Sequence, residues 1–376
     1  MQIPRLLEKQ LAEELRPGRV WMLFGARRVG KTMLVRDFVA RDKGRWLTWQ
    51  GEDAAAAAVF KSPTADRFKQ TFQGIEGLFL DEAQAIPAIG VGLKLLVDTL
   101  PDLKVVVTGS SAFQLDQESG APLTGRRVVR TLHPVSFAEI RAWRGPLAPQ
   151  GLLEDLMIYG QYPEVLCLGQ PLERREYLRQ LAADYLLRDI LSFENLKHAR
   201  KLTQLLQLVA WQTGNEVSLN ELAGQLQLNK ATVERYLDLL EKSFVLRRIG
   251  GFARNLRKEV TKSVRYYFHD NGIRNAIVDQ FQPLSMRNDT GALWESLVVN
   301  ERIRRCDYER LERQHHFWRT YDQQELDHIE TTADGTIEGF ECKWSPRSYG
   351  IPKAWQRVYP EAPVHLVHRE NFGDYF

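Results

Sequence analysis

The chain has 376 residues, of which 44% are hydrophobic and 26% are charged, and its formal net charge is +3 at pH 7. This length predicts two to four domains, and the composition excludes a disordered or fibrous protein. The three cysteines (Cys167, Cys306 and Cys342) have no paired spacing, which argues against a disulfide framework or a zinc site. No apolar run approaches membrane-spanning length, so we expect a cytoplasmic protein with no membrane partner.

From residue 20 to about residue 141, short apolar runs alternate with helical segments. The runs are VWMLFG, RWLTWQ, GLFLDE and LKVVVTGSS, and a helical KTMLVRDFVA follows the first of them. Strands of this kind, separated by helices, are typical of a parallel sheet that is buried on both faces. The first third of the chain is therefore predicted to be an α/β domain.

The segment GARRVGKT, residues 25–32, matches the phosphate-binding pattern G-x-x-x-x-G-K-[ST] between a predicted strand and a predicted helix. Backbone N–H groups of such a loop wrap a triphosphate, and the helix N-terminus adds a favourable dipole. Lys31 is expected to reach the β- and γ-phosphates, and Thr32 to bind Mg²⁺. We assign the binding of ATP to seven residues: Gly25, Arg28, Val29, Gly30, Lys31, Thr32 and Met33.

Acidic and hydroxyl side chains follow two later strands of the predicted sheet. Asp81 and Glu82 end the run LFLDE, at the edge where open α/β sheets bind their ligands. We expect Asp81 to hold Mg²⁺ through water, and Glu82 to polarise the attacking water. After the next strand, a hydroxyl such as that of Ser110 either senses the γ-phosphate or serves only the turn.

The segment TGRRVVR contains three arginines just downstream of these strands. Arg126 either supplies transition-state charge to the ATP of a neighbouring subunit or belongs to a basic loop that contacts DNA or solvent.

After the Pro/Gly-rich break RGPLAPQG, the middle of the chain reads as helices, then as a helix–turn–helix and a short hairpin. Ser218, with Glu221 three residues later, is typical of a helix start. This layout predicts a winged helix, which is a DNA-binding or a protein-packing module. Acidic residues on its second helix disfavour major-groove reading. Contact with the DNA backbone is instead predicted for the basic wing: Arg247, Arg248, Arg254, Arg257 and Lys258.

The last block reads as one helix followed by strands, and it contains a spaced set of carboxylates and one lysine. Glu295 lies on the helix, Asp327 lies in the strand ELDHIE, and Glu341 and Lys343 lie in the strand FECKWS. Clustered carboxylates bind Mg²⁺, which activates water, and a lysine orients that water. We assign these four residues to a metal-dependent nuclease centre, with Glu325 as a further ligand or a solvated neighbour.

These motifs together resemble the prokaryotic AAA+ ATPases that carry a C-terminal nuclease-like domain of unknown function. The landmarks LDEAQ, TGSS, LTGRR, LHPVSFAEI and YFHDNGIRNAI occur in the order of that group, and the likeness covers essentially the whole chain. The last block resembles the PD-(D/E)xK nuclease superfamily. One departure is visible, since Ala26 and Arg28 stand where relatives usually have Pro and Gln.

The resemblance implies an α/β multidomain protein with four parts. These are an AAA+ P-loop ATPase core with a parallel sheet (1–145), a helical lid (146–200), a winged helix (201–275), and an α/β restriction-nuclease-like domain (276–376). It also implies a homo-oligomer, a hexameric ring, that acts as an ATP-driven motor on duplex or branched DNA such as a fork or Holliday junction. Two alternatives stay open: an ATP-gated switch or defence-type nuclease without translocation, and a DNA- or protein-binding regulator with an inactive nuclease domain.

Overall fold

The fold is given by a computed structural model, which describes residues 3–110, 123, 125–183, 199–252, 264–346 and 349–376. The chain forms two compact units. We call them the first unit (Pro4–His133 and Lys242–Phe244) and the second unit (Met1–Ile3, Pro134–Glu241 and Val245–Phe376). The predicted boundaries at residues 200 and 275 both fall inside the second unit, so the lid, the winged helix and the nuclease-like domain stay predictions as separate domains.

The first unit contains a five-stranded parallel sheet with the order β2-β3-β4-β1-β5. Its strands are Val20–Phe24 (β1), Trp46–Gln50 (β2), Gly77–Asp81 (β3), Lys104–Gly109 (β4) and Arg127–Thr131 (β5). Strands β1 and β3 are buried along their whole length, as their continuous apolar sequences predict. The predicted parallel α/β sheet is confirmed. Strand β5 was missed, because its short sequence RVVRT follows another arginine and resembles an exposed basic loop.

Helices pack around this sheet, at Leu7–Glu14 (α1), Lys31–Arg41 (α2), Ala54–Lys61 (α3), Ala65–Thr71 (α4) and Ile89–Thr99 (α5). A continuous core joins the sheet to α3, α4 and α5 through buried aromatic and aliphatic side chains, among them Phe60, Phe68 and Leu93. Because all five strands are parallel, the loops after β1, β3 and β4 emerge at one edge of the sheet. That edge therefore gathers the segments in which the sequence placed its ATP-site residues.

The second unit has helices on both sides of a hairpin in the sequence. They are Phe137–Arg144 (α6), Ala148–Tyr159 (α7), Pro163–Cys167 (α8), Pro171–Ala183 (α9), Ala199–Trp211 (α10), Leu219–Leu226 (α11), Lys230–Lys242 (α12), Asn271–Ile277 (α13), Thr290–Glu309 (α14) and Lys353–Val358 (α15). Ser218 caps α11 by accepting a hydrogen bond from the Glu221 backbone N–H at 3.3 Å, as its position in the sequence predicts.

The second sheet is mixed and has six strands in the order β11-β10-β9-β8-β6-β7. The strands are Leu246–Gly251 (β6), Val264–Phe268 (β7), Arg313–Arg319 (β8), Glu325–Thr332 (β9), Ile337–Cys342 (β10) and Val364–Val367 (β11). Strands β6 and β7 pair antiparallel in the segment where the sequence predicts the wing, and the winged helix itself stays a prediction. Strand β6 pairs in parallel with β8, Gly250 opposite His316. The wing strands and the strands of the last block therefore form one sheet, which the sequence did not indicate.

Helix α14 packs on this sheet and is buried for most of its length, including charged side chains. The Arg302 guanidinium donates to both carboxylate oxygens of Glu330 on β9, at 2.6 and 2.8 Å, and Arg313 donates to the same carboxylate at 2.8 Å. Burial alone would raise the pKa of Glu330, but the neighbouring His328 and Arg302 hold it far below its usual value. A buried carboxylate held by two guanidinium groups thus fixes α14 on the sheet.

The variant Glu330→Gln keeps the side-chain volume but leaves the buried Arg302 without its charged partner, while Arg313 keeps its pair with Glu338 at 3.0 Å. We expect it to lower the free energy of unfolding by about 3–5 kcal/mol, the usual cost of breaking a buried pair from one side. Urea unfolding measures this loss. The control is Glu309→Gln, because Glu309 pairs with Arg305 on the exposed surface of the same helix and a pair of that kind contributes under about 1 kcal/mol. Equal losses in both variants would contradict the account.

Candidate functional site

The phosphate-binding loop leaves β1 at Gly25 and enters α2 at Lys31. Gly25 has φ +147°, and a Cβ on it would lie 2.2 Å from the backbone oxygen of Leu132. The Leu132 N–H donates to the Phe24 carbonyl at 2.7 Å, which holds the two segments this close. Gly30, which caps α2, has φ +102°. Both glycines of the motif are therefore required by the backbone itself.

Lys31 is buried inside this loop, and its ammonium donates to the carbonyls of Gly25 and Ala26 at 3.0 Å each. The loop is braced from outside by Arg5, whose guanidinium donates to the Val29 carbonyl at 2.5 Å and to the His133 carbonyl at 2.6 Å. The sequence did not predict that Arg5 braces this loop, because no recognisable motif surrounds it. The loop is thus held in shape by groups of the first unit.

Asp81, at the end of β3, lies against the start of α2. The Thr32 hydroxyl donates to the two Asp81 oxygens at 2.8 and 3.1 Å, and the Thr108 hydroxyl donates to Oδ1. The structure therefore brings together the two residues predicted to hold Mg²⁺, Thr32 and Asp81. Their oxygen atoms are the ligands that this cation prefers.

Glu82 follows in the left-handed backbone region, with φ +49°. Gln84 connects it to the end of β4, because its Nε2 donates to Glu82 Oε2 at 2.5 Å and to the Ser110 hydroxyl at 3.1 Å. Glu82 and Ser110, predicted separately, are thus linked through one amide. Gln84 was missed as a site residue, although it closes the LDEAQ motif.

The remaining residues assigned to the nucleotide lie along the loop. Arg28 and Met33 are exposed, and Val29 is buried. Arg126 lies elsewhere: its carbonyl accepts from the Val20 N–H at the opposite end of β1, about 16 Å along the strand from Gly25. Its guanidinium pairs with Asp98. The structure does not bring Arg126 to the phosphate-binding loop of its own chain, so its role at a neighbouring subunit stays a prediction.

The second group of predicted site residues gathers at one place in the second unit. Glu295 lies on α14, Asp327 on β9 and Glu341 on β10, and Lys343 directly follows β10. Asp327 and Glu341 are almost fully buried, whereas 46% of the Lys343 side chain is exposed. The cluster therefore opens to solvent at the lysine.

A β-bulge sets the direction of Asp327. In the pairing of β8 with β9, His316 lies opposite Ile329 and Trp318 lies opposite Leu326. Two residues of β9, Asp327 and its neighbour, consequently face the single residue between His316 and Trp318. A bulge of this kind re-aims a side chain, and here Asp327 Oδ2 accepts from the Cys342 N–H of the next strand at 2.8 Å.

Each of the three carboxylates has one oxygen held by a fixed donor. The Tyr267 hydroxyl donates to Glu295 Oε1 at 2.6 Å, the Cys342 N–H holds Asp327 Oδ2, and the Lys343 ammonium lies 2.6 Å from Glu341 Oε1. The other oxygen of Glu341 is buried and accepts no hydrogen bond of standard geometry, although the Tyr349 hydroxyl is near enough to this carboxylate to lower its pKa slightly. A buried carboxylate oxygen without a donor is costly, and a divalent cation would satisfy it. The residues present thus fit a hard cation such as Mg²⁺.

Electrostatics in the cluster point the same way. Burial, and after it the nearby Asp327, raise the pKa of Glu295 to about 8. Burial and Asp327 also raise the pKa of Glu341 to about 7, against the effect of Lys343. Burial is the main reason that the pKa of Asp327 is raised as well. The cluster therefore holds more negative charge than its own cations balance.

Two contributors to this cluster were missed by the sequence reasoning, Arg265 and Tyr267 on β7. Arg265 donates to Glu295 Oε1 at 3.3 Å and to Glu325 Oε2 at 2.8 Å. Glu325 thus pairs with Arg265 beside the cluster, and its role as a further metal ligand stays a prediction. Both missed residues come from the wing hairpin, and only its pairing in the second sheet brings them here.

Ligand-atom spacing separates this cluster from a second group. Among the described residues, His315, His328 and Glu330 are the ones whose ligand atoms all lie within 4.8 Å of one another. Arg302 and Arg313 already bind both oxygens of Glu330, so this group is held together without a metal ion. The carboxylates of the predicted centre are spread more widely, with Glu295 turned toward β7.

The predicted basic wing is only partly described. Arg248 is exposed, but the Arg247 side chain is half-buried against His269, 3.4 Å from Nδ1. Burial lowers the pKa of Arg247 to about 10. Arg254, Arg257 and Lys258 lie outside the described residues. Contact between this wing and DNA stays a prediction.

Comparisons with known families divide the chain in three. Residues 17–141 match the family described as "AAA domain". Residues 150–284 and 290–357 match two families that are each described as a domain of unknown function, DUF8612 and DUF4143. The first match and the geometry of residues 25–32 identify an AAA-type P-loop ATPase domain, which implies nucleotide binding. The third match contains Glu295, Asp327, Glu341 and Lys343.

Similar full-length proteins come from bacteria. An uncharacterised protein of Mycobacterium tuberculosis is 24% identical over 338 residues, which cover 89% of this chain and 72% of that protein. A protein of Mycobacterium bovis matches to the same extent. An uncharacterised protein of Haemophilus influenzae is 24% identical over 276 residues, 67% of this chain and 68% of its own length.

Two kinds of solved structure are similar in part. One is a STAND protein (signal transduction ATPase with numerous domains) with a tetratricopeptide repeat sensor from Pyrococcus horikoshii, with a TM-score of 0.30 and 13% identity. This chain covers 45% of its length, and the match covers 81% of this chain. The other is RuvB of Thermotoga maritima, with a TM-score of 0.31 and 15% identity. This match covers 67% of this chain and 86% of the RuvB chain. Similarity at this level does not indicate an activity.

In the part of the chain that the structure describes, no helix has both the length and the apolar character needed to cross a membrane.

The raised pKa values predict how metal binding depends on pH. Glu341, with a pKa of about 7, must lose its proton before it binds a cation. Protons therefore compete with the metal below that value, and the affinity rises with pH. For the Glu341 proton alone, we expect the Mn²⁺ affinity to increase about tenfold between pH 6 and pH 8. Calorimetry in two buffers of different ionisation enthalpy measures both affinity and proton release.

The variant Glu341→Gln serves as the control for this experiment. It should bind Mn²⁺ more weakly and show a flatter pH dependence. An affinity of the unaltered protein that stays constant from pH 6 to pH 8, with no proton release, would contradict the assignment.

Proposed function

We propose that this protein is an ATP-driven enzyme that acts on duplex or branched DNA and cleaves it at a metal centre built on Asp327, Glu341 and Lys343. The observation that carries this proposal is the Glu341 carboxylate, one oxygen of which lies 2.6 Å from the Lys343 ammonium while the other is buried without a donor. An acid of this kind beside a half-exposed lysine is suited to a bound cation and an incoming phosphodiester. The ATPase domain supplies the energy or the control.

In the ATPase domain, the residues divide the work of phosphoryl transfer. Lys31 leaves its loop carbonyls to balance charge on the β- and γ-phosphates, and the loop N–H groups hold the phosphate oxygens. Thr32 and Asp81 present oxygen ligands to the Mg²⁺ that accompanies ATP. Glu82, oriented by Gln84, accepts a proton from the attacking water.

In the second unit, Asp327 presents the carboxylate oxygen that the Cys342 N–H does not hold, and Glu341 presents its buried Oε2. A bound Mg²⁺ would lower the pKa of a water molecule and offset charge on the scissile phosphate. Lys343 lies at the open side of the cluster, where it orients that water and contacts the phosphate. Tyr267 fixes Glu295 at the rear. The phosphodiester therefore approaches from the side of the lysine, which solvent reaches.

The assembly we propose is a hexameric ring. Arg126 lies at the end of β1 that is remote from Gly25, so it can reach an ATP only on another copy of the chain. A ring in which each subunit completes the ATP site of its neighbour would use it in this way. This arrangement supports an oligomer, and the response of ATP turnover to DNA distinguishes the motor from an ATP-gated switch.

The two proposed activities are tested together with three variants. ATP hydrolysis and cleavage are measured on linear, forked and four-way DNA with Mg²⁺ or Mn²⁺. Lys31→Ala should reduce ATP hydrolysis about a hundredfold or more, the scale expected when a preorganised charge is removed from a transition state. Lys343→Ala should lose cleavage to a similar extent and keep its ATPase activity. Lys353→Ala, which removes another exposed lysine of the second unit, should change neither.

Each result has a distinct meaning. Undiminished cutting by Lys343→Ala would show that the proposed centre does not cleave. If DNA of every structure leaves ATP turnover unchanged in an assembled ring, the motor is excluded and the ATP-gated switch takes its place.

A further inference from the structure

Arg265 is an unusual residue to find beside a metal centre, because it is a buried cation among carboxylates. Only 3% of its side chain is exposed. Its guanidinium lies over the ring of Phe317, 4.4 Å from the centroid, and donates to Glu295 and Glu325 at 3.3 and 2.8 Å. The backbone of Arg265 pairs with β6 as part of β7, and it also forms an isolated antiparallel β-bridge with Glu216. This guanidinium is therefore fixed, and it cannot swing out when another cation arrives.

The carboxylates around it consequently fall into two groups. Glu295 and Glu325 face the guanidinium, and the Tyr267 hydroxyl further fixes the same oxygen of Glu295, at 2.6 Å. Asp327 and Glu341 are held instead by a backbone N–H and by Lys343, and the second oxygen of Glu341 is buried without a hydrogen bond. A divalent ion finds unoccupied ligand atoms beside Asp327 and Glu341, but a fixed positive charge beside Glu295 and Glu325.

We propose that Arg265 takes the place of a second metal ion, so that this centre binds one divalent ion per chain, on the side of Asp327 and Glu341. This inference rests on the proposed function, because it concerns the same centre. Glu295 is then a positioning residue rather than a direct ligand, since its oxygen is committed to Arg265 and Tyr267. The charge that a second ion would supply is built into the protein and does not depend on the metal concentration.

The number of bound ions tests this directly. Mn²⁺ is titrated into the full chain without nucleotide, and the bound ions are counted by calorimetry and by electron paramagnetic resonance. Asp327→Asn identifies the ions that belong to this centre. The unaltered protein should bind one Mn²⁺ that Asp327→Asn loses. Arg265→Met, which removes the charge but keeps a long side chain, should bind two.

Three further variants control the Arg265→Met result. Arg265→Lys keeps the charge and should bind one ion. Arg265→Met combined with Glu325→Gln removes a ligand of the additional ion and should return the count to one. Arg274→Met removes another buried arginine of the second unit, which pairs with Asp289 away from these carboxylates, and should leave the count at one.

The outcomes separate this inference from the proposed function. Two ions in the unaltered protein, both lost in Asp327→Asn, would overturn the role of Arg265 while leaving a metal centre in place. No bound ion would overturn both. A folded Arg265→Met that still binds one ion would show that the guanidinium does not exclude a second. If Arg265→Met does not fold, the count in the unaltered protein still decides between one ion and two.

Discussion

The rest of the second unit depends on one constraint: a carboxylate that is taken out of water must be paired or protonated. Glu330 satisfies it with two guanidinium groups, and Glu301 satisfies it with Arg304 at 2.6 Å and with the Phe137 N–H at 2.9 Å. The Glu330 pair fixes α14 against the sheet, and the Glu301 contact with Phe137 joins α14 to α6. At the other end of the same helix, the cluster around Asp327 and Glu341 does not balance its charge with its own residues. The same physics that stabilises the fold therefore marks the place where a cation binds.

The first unit meets the constraint differently, with neutral donors. Asp81 accepts from Thr32 and Thr108, and Glu82 accepts from the Gln84 amide. Hydroxyl and amide groups hold these acids in position without cancelling their charge, so the charge remains available for Mg²⁺ and for a water proton. In the second unit, Arg265 takes part of the charge permanently. The two sites thus use similar carboxylates, but neutral groups hold them in the first unit and a fixed positive charge neutralises part of them in the second.

The sequence predicted much of this arrangement, because local patterns determine it. Continuous apolar runs gave β1 to β4, and the motif at residues 25–32 gave the loop between β1 and α2. The strand-like segments of the last block, and the order in which a helix glutamate, a strand aspartate and a Glu-x-Lys pair occur in them, predicted the acids of the second site. Contacts between distant segments could not be read in this way. The parallel pairing of Gly250 with His316 joins strands over 60 residues apart, and it alone brings Arg265 and Tyr267 to Glu295. The bulge that aims Asp327 is equally invisible in a strand pattern.

The central claim is that Asp327 and Glu341 form a cation site that the protein leaves unbalanced. Anomalous diffraction from crystals soaked in Mn²⁺ tests it most directly, because it locates the ion rather than its effect. We predict an anomalous peak within about 2.5 Å of one Asp327 oxygen and of Glu341 Oε2, the range of metal–oxygen bonds. The account would be contradicted if crystals soaked at saturating Mn²⁺ showed no anomalous peak at this position. It would also be contradicted if the Lys343 ammonium were bound to both carboxylates in place of the ion.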